Sequence, residues 1–472
     1  MKKIYPGDII FYGLIFILGI LAMVFSWPIF LGGFFLVLFC VLAWFFLAPI
    51  LIFLPAFFPF QPALNPSSDF DLASGRVIIL LLFLVAIFLV TWKKIKWFNL
   101  SRITLLVIFF LAWSFFSVLA SHDAERFLRK ILVFFSIFPL YFLLLAFLKK
   151  SSQWKKLFNY WSLSALVVSI IGLAQFLSQF IFGRDLFFKF WGKIVAPVLY
   201  GTNAGEAVVS NPSWFVGTGA GDLLRAISTF PDPHMLAFYL GMSLPIQVYF
   251  ILRNQKSKIF WLIPGLSLAV ILLTFSRGSY VGLIGVFGWI LINLPNSTKI
   301  RGYLFKTLLV GFLAIFLAFF VAPIRERFLS ILDFGEGSNS GRLEIWAESL
   351  EVIKNNPFLG VGLGNYAFAV RPESKIREPI YAHNTYLDLA SEEGIIGAFS
   401  WILILLFGLK PLFKKGSLSD KISLDTFVAL SILWFSLHCL FETPIFSPQI
   451  LPLILVLMAF RAFSEENKAE SP

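Results

Sequence analysis

The sequence predicts an all-α, polytopic membrane protein. Two observations support this class: the composition and the spacing of the apolar runs. Of its 472 residues, 59% are hydrophobic and 14% are charged. Soluble domains are about 45–50% apolar and about 25% charged, so this composition excludes a water-soluble fold. Apolar runs long enough to cross a bilayer recur along the chain. We therefore predict one polytopic domain, residues 1–472, of about twelve transmembrane helices (12–14).

The expected spans follow from the length of each apolar run, since a crossing needs about 17–25 mostly apolar residues. From residue 75 onward they lie near 75–92, 103–120, 131–148, 158–182, 235–252, 259–275, 279–294, 303–322, 394–413, 425–442 and 447–463. Residues 8–58 form one apolar block that Pro28, Pro49 and Pro55 interrupt. This block has room for one, two or three crossings, and the sequence leaves the number open.

Basic residues cluster in the connections that share one side of the membrane if each run crosses once. The clusters are Lys93, Lys94, Lys96 and Arg102; Lys149, Lys150, Lys155 and Lys156; Arg253, Lys256 and Lys258; Lys299 and Arg301; and Lys410, Lys414, Lys415 and Lys421. The positive-inside rule predicts that this side is cytoplasmic. Arg126, Arg129 and Lys130 are the exception, because they fall on the other side. Short basic clusters between apolar runs are topology signals, so no nucleic-acid partner is expected despite the net charge of +12.

Two long connections fall on the non-cytoplasmic side, at residues 183–234 and 323–393, and loops of this length are usually functional. The larger loop is predicted to be partly helical. Ser340 is a candidate N-cap, apolar residues recur behind it at helical spacing, and Asn356-Pro357 ends the helix. The glycines of residues 360–364 then predict a tight turn. The expected structure is an amphipathic helix near the membrane surface.

His383 is the first candidate for chemistry on this outer side. It stands in Ala382-His383-Asn384-Thr385. An imidazole titrates near neutral pH and can take a proton from a sugar hydroxyl, which is general-base work. A solvated interfacial histidine at the start of a helix is the structural alternative.

Three arginines are the candidates for binding phosphate, because a guanidinium offers a planar fork of donors. Arg277 lies between two spans that almost no loop separates, where a charge is costly unless it has a partner or snorkels. Arg342 and Trp346 are four residues apart on the predicted helix, so they share a face and could hold a phosphate and a sugar ring. A plain cation–π pair is the alternative. Arg225 precedes the turn that ends at His234. It too could bind a phosphate or form a cation–π pair.

In this order the motifs resemble those of the O-antigen ligase/polymerase superfamily of membrane glycan transferases. The residues that carry the resemblance are Arg225 with the Phe230–His234 turn, Ser276-Arg277-Gly278, Gly341-Arg342 with Trp346, Asn356-Pro357 with Gly360-Val361-Gly362, and His383-Asn384 followed by Glu393-Gly394 and Gly397. Together they span residues 220–400, which we expect to form an O-antigen ligase-like core region. One departure is His234, where an Asn after the proline would be expected, and this leaves the role of His234 open.

The resemblance implies an inverting, metal-independent transferase that needs no cofactor and lies in a bacterial inner membrane. A glycan would leave undecaprenyl pyrophosphate and join an acceptor hydroxyl at the outer face. The resemblance makes His383 the base and places Arg225, Arg277 and Arg342 on the pyrophosphate. Trp346 and Asn384 are further candidates for binding the substrate. Lipid A core as acceptor would make the protein a ligase, the growing glycan a polymerase, and a protein hydroxyl an O-oligosaccharyltransferase; the sequence leaves these open.

Two other classes remain as alternatives. Asp69-Phe70-Asp71 lies in a predicted outer loop, and such a carboxylate pair could hold a divalent cation in a metal-dependent transferase. A transporter or flippase would instead place ionisable residues deep in its spans. His438 and Glu442, one turn apart near the outer end of a span, are the clearest of these. They could also complete a transferase cleft or bond to each other, so we treat them, with His234, as secondary site candidates.

Overall fold

The fold is described from a computed structural model. It describes residues 27–67, 70–93, 97, 100–202, 212–218, 221–254, 258–294, 301–302, 325, 337–374, 380–414 and 423–469. The predicted span at 303–322 lies outside the described residues, as does the first part of the apolar block at 8–58.

Helices make up most of the described chain. They are α1 (Trp27–Phe57), α2 (Ser74–Lys93), α3 (Arg102–Phe116), α4 (Ala124–Ile137), α5 (Pro139–Phe147), α6 (Ser151–Ile181), α7 (Arg184–Phe190), α8 (Ala196–Tyr200), α9 (Pro233–Asn254), α10 (Leu262–Leu273), α11 (Arg277–Ile292), α12 (Gly337–Asn355), α13 (Tyr366–Val370), α14 (Thr385–Leu409), α15 (Leu424–His438) and α16 (Leu451–Ala469). The predicted helical class is confirmed.

Two short antiparallel hairpins were not predicted. Strand β1 (Ala63–Ser67) pairs with β2 (Phe70–Ala73), and β3 (Phe215–Thr218) pairs with β4 (Gly221–Leu224). The second hairpin buries Val216 and Leu224 on the bundle. Strands of four or five residues give too little alternation to stand out in a sequence dominated by apolar runs.

Seven helices of the described chain are long and apolar enough to span a membrane. They are Leu36–Phe60, Ser74–Trp92, Arg102–Ala120, Ala124–Phe147, Ser151–Ile181, Pro233–Arg253 and Thr385–Phe413. Three shorter apolar helices, α10, α11 and α15, complete the apolar part of the bundle. The protein is therefore a multi-pass membrane protein.

Prolines explain two breaks in the apolar helices. In α1 the backbone leaves helical geometry at Phe46, with φ −122° and ψ 25°. Pro49 lies three residues later, and a proline within a helix lacks the N–H and its ring clashes with the carbonyl of the preceding turn. Pro139 likewise starts α5 immediately after α4 has ended.

The functional candidates gather at one end of the bundle, which we call the loop face. We define it by the turns at residues 121–123, 225–232, 274–276, 382–384 and 439–446. Hydrogen bonds join these turns directly: the Ala226 amide donates to the Leu273 carbonyl at 2.9 Å, and the Thr385 amide donates to the Cys439 carbonyl at 2.9 Å. Residues far apart in the chain therefore meet at a single surface.

Helix α12 begins at Gly337, so Ser340 lies inside the helix and its prediction as N-cap was wrong. The run Gly337-Ser338-Asn339-Ser340 offers several capping residue types in a row, and the pattern alone cannot choose among them. The predicted end is correct, because the helix stops at Asn355. On its inner face, Ser349 Oγ lies 2.7 Å from the Tyr366 hydroxyl, which ties α12 to α13.

Helix α14 is kinked at Gly394, and the glycine turn after α12 packs into the kink. Gly394 has φ 72° and ψ 177°, a conformation that is essentially restricted to glycine. The Val361 amide donates to the Ser391 carbonyl at 2.9 Å and the Ile395 amide donates to the Pro357 carbonyl at 2.8 Å. A Cβ on Gly360 would lie 2.4 Å from the Ser391 carbonyl oxygen. The glycines therefore permit the close approach that fixes the part of α14 before the kink, residues 385–393.

The three basic residues that break the charge rule all have acidic partners. Arg126 pairs with Asp123 at 3.1 Å, Arg129 with Glu125 at 2.7 Å, and Lys130 with Glu392 at 2.6 Å. Their charges are thus paired within the protein.

Candidate functional site

The Glu442 carboxylate is the centre of a polar cluster on the loop face. Arg342 Nη2 donates to Glu442 Oε1 at 2.8 Å, and His234 Nε2 lies 3.5 Å from the same oxygen. His383 Nδ1 lies 3.1 Å from the other oxygen, Oε2. The Glu442 side chain is 9% exposed, so three partners from separate elements surround a nearly buried carboxylate.

His383 is held by contacts on both sides of it in the chain. The Trp346 indole N–H donates to the Ala382 carbonyl at 2.9 Å. The Ala382 amide donates to Asp388 Oδ1 at 2.8 Å, while the Asn384 side chain caps α14 by accepting from the amides of Tyr386 and Leu387. The His383 side chain nevertheless remains 43% exposed. A fixed backbone therefore presents a partly accessible imidazole.

The charges in this cluster set the pKa values of its members. The hydrogen bond that His383 donates to Glu442 raises the pKa of His383 above its usual value; burial and Arg342 oppose this shift. Burial favours a raised pKa for the Glu442 carboxyl, but His234, His383 and Arg342 together bring it below its usual range. Glu442 is accordingly an ionised hydrogen-bond acceptor at neutral pH.

A second histidine approaches Glu442 from α9. Asp232 Oδ1 caps this helix by accepting from the His234 amide at 2.8 Å and the Met235 amide at 3.0 Å, and Pro233 occupies the first helical position, where its missing N–H costs nothing. Burial raises the pKa of Asp232 to about 6. The Asp-Pro-His turn thus sets the direction in which the His234 ring leaves the helix.

His234 is linked to His438 through one hydroxyl group. Ser276 Oγ lies 2.9 Å from His234 Nδ1 and 3.1 Å from His438 Nε2. The His438 ring stacks on Phe238, with centroids 3.8 Å apart. A Cβ on Gly278 would lie 2.4 Å from His438 Cδ2, so only glycine fits there beside the ring.

Arg225 joins the β3–β4 hairpin to the turn before α11. Its Nε donates to the Thr274 carbonyl at 2.7 Å and its Nη1 to the Ser213 carbonyl at 2.8 Å. Gln175 on α6 supports the same segment, since its Oε1 accepts from the Ile227 amide at 2.9 Å. Two of the donors of Arg225 thus serve backbone carbonyls.

Arg277 is the first residue of α11 and is buried, with 4% exposure. Its chain neighbours on both sides contact the histidines: Ser276 through its hydroxyl and Gly278 by direct packing on His438. The structure therefore brings Arg277 into the same region of the loop face.

Backbone conformations that are costly for most residues occur in three of the turns of the loop face, 225–232, 274–276 and 382–384. In the described chain, the non-glycine residues with positive φ are Ser228 (51°), Phe275 (50°) and His383 (50°). Such residues concentrate at functional sites, where the surrounding structure holds them in place. Here they precede or include the residues that surround Glu442.

The contacts in the structure rank the predicted site residues differently from the sequence. Glu442 is the centre of the cluster and not a secondary member, and it binds Arg342 and His383, whereas His438 bonds to Ser276. Ser276 was quoted only as part of a motif, and Asp232 and Asp388 were not singled out. Aspartate before Pro233 is a helix-cap signal and could have been used; contacts between distant segments, such as Ser276 with His438, leave no local pattern.

The acidic pair proposed for a metal is only partly described. Asp71 lies in β2, where a Cβ on Gly201 would come 2.2 Å from its Cγ, and Asp69 lies outside the described residues. Within the described ranges, no group of three or more His, Cys, Asp or Glu residues is arranged to hold a metal ion.

The fold and the cluster define a multi-pass helical membrane protein with a carboxylate, two histidines and an arginine in contact at one end of its bundle. Residues 262–402 match the family described as "O-Antigen ligase". The resemblance to the O-antigen ligase superfamily, predicted from the motifs, is confirmed.

Two curated relatives come from Acinetobacter baylyi. A "ComP-specific O-oligosaccharyltransferase" is 24% identical over 299 residues, which are 60% of this chain and 53% of the relative. A "General O-oligosaccharyltransferase" is 24% identical over 268 residues, which are 52% of this chain and 45% of the relative. The chain thus matches about half the length of these curated relatives.

Proposed function

We propose that this protein is an O-antigen ligase-like transferase that moves an oligosaccharide or polysaccharide from undecaprenyl pyrophosphate to an acceptor hydroxyl. The observation that carries the proposal is the contact of His383 Nδ1 with Glu442 Oε2 at 3.1 Å, on a ring that is 43% exposed. The family match and the two relatives support the class of reaction. The donor, the acceptor and the mechanism are the proposed parts.

The contact with Glu442 determines which nitrogen of His383 acts. An ionised carboxylate only accepts hydrogen bonds, so Nδ1 carries the proton and Nε2 has the free lone pair. A carboxylate in this position also stabilises the imidazolium that forms when the ring gains a proton, as in other base–carboxylate pairs. His383 Nε2 is therefore the proposed general base.

In the proposed step, the acceptor hydroxyl gives its proton to His383 Nε2 while its oxygen attacks the anomeric carbon. The bond from that carbon to the diphosphate oxygen breaks, and its electron pair stays on the lipid diphosphate. Attack from the face opposite the leaving group inverts the anomeric configuration. Charge grows on the diphosphate, so nearby cations lower the barrier.

The arginines Arg225, Arg277 and Arg342 supply these cations in the proposal. Arg342 uses Nη2 for Glu442, and a guanidinium has five N–H donors, so further donors can face a phosphate. Trp346 and Asn384 act close to His383, where they fix its backbone; a sugar contact by Trp346 is part of the proposal. Neither the base nor the arginines require a metal ion for this step.

The proposed orientation places the loop face outside the cytoplasm of a bacterial inner membrane. It follows from the basic clusters, since Lys149, Lys150, Lys410 and Lys414 lie at helix ends remote in the chain from the turns of the loop face. About twelve spans result if α10, α11, α15, α16 and the predicted span at 303–322 are each counted as one crossing.

Replacing His383 tests the proposal. We expect His383→Ala to lower transfer by about 10²–10⁴-fold in membranes supplied with lipid-linked donor, because that is the usual contribution of a general base. His122→Ala is the matched control: His122 is an exposed histidine in the turn between α3 and α4 on the same face. Both variants should insert in the membrane like the wild type. Full activity of His383→Ala refutes the base assignment.

A second experiment addresses the acceptor and the metal. Mass spectrometry of products from a mixture of lipid A core, glycan and protein acceptors separates a ligase, a polymerase and a protein O-oligosaccharyltransferase. The names of the two relatives favour including a protein acceptor. Transfer should persist in chelator, and its loss would favour the metal-dependent alternative.

A further inference from the structure

His234, Ser276 and His438 form a hydrogen-bonded row behind Glu442. The distances are 3.5 Å from Glu442 Oε1 to His234 Nε2, 2.9 Å from His234 Nδ1 to Ser276 Oγ, and 3.1 Å from Ser276 Oγ to His438 Nε2. None of these three side chains has a role in the transfer step proposed above. The row is nonetheless buried: His234 is 16% exposed in its side chain, and Ser276 and His438 are fully buried.

The donors and acceptors of this row can be assigned from one end. Glu442 is ionised and accepts, so the proton of a neutral His234 belongs on Nε2. Nδ1 of His234 is then an acceptor, and Ser276 uses its single O–H to donate to it. Ser276 Oγ can only accept from His438, which places the His438 proton on Nε2. His438 Nδ1 is left as an acceptor, and it has no hydrogen-bond partner in the described part of the chain. At the other end of the row, His234 Nε2 faces Glu442 Oε1 at the longer distance of 3.5 Å.

We propose that His234 is a positioning residue that donates an N–H to Glu442, and that Ser276 and His438 hold it in the tautomer that can do so. This inference rests on the proposed function, because it assigns His234 an effect on His383 that passes through Glu442. His234 and Arg342 share Oε1, so Oε2 remains for His383. His234 thereby fixes the position of the Glu442 carboxylate. It also reduces the extent to which Glu442 raises the pKa of His383.

The predicted consequence is measurable in the pH dependence of transfer. His383 must be neutral to act, so activity falls as the pH drops through its pKa. Within the described residues, the charged or titratable groups that act on the pair are Arg342 on α12, His234 and Asp232 at α9, Asp388 on α14 and His438 on α15. Removing the His234 donor leaves more of the Glu442 charge for His383. The acidic limb of the pH–rate profile, where activity falls as His383 gains a proton, should then move to higher pH by about one unit.

Two substitutions separate this role from a structural one. His234→Leu keeps a similar volume without a donor, and we expect its acidic limb to move up. His234→Gln keeps an N–H at similar reach, so its limb should stay at the wild-type pH, whatever its rate. A His234→Leu limb at the wild-type pH overturns the inference even if the rate falls. Absence of transfer by the wild-type protein would instead count against the proposed function.

Nuclear magnetic resonance tests the tautomers without using activity. The chain has four histidines, so labelling the histidine rings with ¹⁵N gives four sets of signals in bilayers, and removing one histidine at a time assigns them. We expect neutral rings with the proton on Nε2 for His234 and His438, and a mixture of His234 tautomers in Ser276→Ala. A His234 ring protonated on Nδ1, or unaffected by Ser276→Ala, overturns the proposal. Because it uses the wild-type protein and Ser276→Ala, this measurement tests the role of His234 even if His234→Leu does not fold.

Discussion

His383 Nδ1 lies 3.1 Å from Glu442 Oε2, although 59 residues separate the two in the chain. His383 comes directly before the cap of α14, and Glu442 follows the end of α15. The Thr385 hydroxyl donates to the Glu442 backbone carbonyl at 2.8 Å, which joins the same two segments a second time. Substitutions at this junction should therefore change chemistry and pH dependence before they change the fold.

Glu442→Gln is expected to move the acidic limb of transfer to lower pH. The hydrogen bond and charge of Glu442 raise the pKa of His383, so their loss lowers that pKa and keeps the ring neutral further into the acid range. The rate at high pH should fall by about 10²-fold or more, because the imidazolium is no longer stabilised. A pH–rate profile in membranes measures both effects. An unchanged limb with a reduced rate would mean that Glu442 does not act on His383.

Gly394→Ala is expected to destabilise the part of α14 before the kink. Its φ of 72° with ψ 177° is strained for alanine, and a Cβ there would lie 1.9 Å from the Phe358 carbonyl oxygen, which belongs to backbone that cannot move aside cheaply. We expect a loss of at least about 2 kcal/mol. Thermal unfolding in detergent measures the loss.

Gly288→Ala is the control for that substitution. Gly288 lies in α11 and a Cβ would meet nothing within 4 Å, so alanine should be neutral or stabilise the helix by up to about 1 kcal/mol. Equal destabilisation by both variants would show that close packing at the kink is not the cause.

The helical membrane fold was predictable because its signal is local. Apolar runs predicted helices that could span a membrane, and seven such helices occur in the described chain. The predicted start of a span at residue 394 coincides with the kink at Gly394. The helix nevertheless begins at Thr385, because Asn384 caps it and the turn at 357–361 packs on its first part. This extension depends on contacts with a distant segment, and hydropathy does not record them.

Lys130→Met is expected to cost far more stability than the same change at Arg129. The Lys130 ammonium lies 2.6 Å from Glu392 and 3.9 Å from the centroid of the Phe446 ring, and the Glu392 side chain is 2% exposed. Its removal leaves a buried carboxylate without its cation, which typically costs about 3–5 kcal/mol.

Arg129→Met removes an exposed pair, since the Arg129 and Glu125 side chains are 42% and 55% exposed. Such pairs contribute about 0–1 kcal/mol, so this adjacent residue is a close control. Unfolding of both variants in detergent makes the comparison, and Glu392→Gln combined with Lys130→Met should recover part of the loss. Similar losses for Lys130→Met and Arg129→Met would contradict the importance assigned to burial.

The sequence predicted which residues belong to the candidate site better than it predicted how they contact each other. His383 and Arg342 were singled out in the larger predicted loop, and Glu442 near the end of a predicted span. The contacts between them could not be predicted, because no spacing within the chain encodes how helices pack. The site takes one residue or turn from each of five helices, α9, α11, α12, α14 and α15. Ser276 shows the limit most clearly: its hydroxyl matters through two histidines that are 42 and 162 residues away.

Arg342→Gln is expected to separate the two parts of the proposed chemistry. The Arg342 guanidinium lowers the pKa of His383, so its loss should raise that pKa and move the acidic limb to higher pH. If Arg342 also binds the diphosphate, the KM for the lipid-linked donor should rise as well, because a charged hydrogen bond is lost. Initial rates at several donor concentrations and pH values measure both changes. A shifted limb with an unchanged KM would restrict Arg342 to orienting Glu442, and the diphosphate would then depend on Arg225 and Arg277. A changed KM with an unmoved limb would reverse that assignment, because it would make the 2.8 Å contact with Glu442 irrelevant to the base.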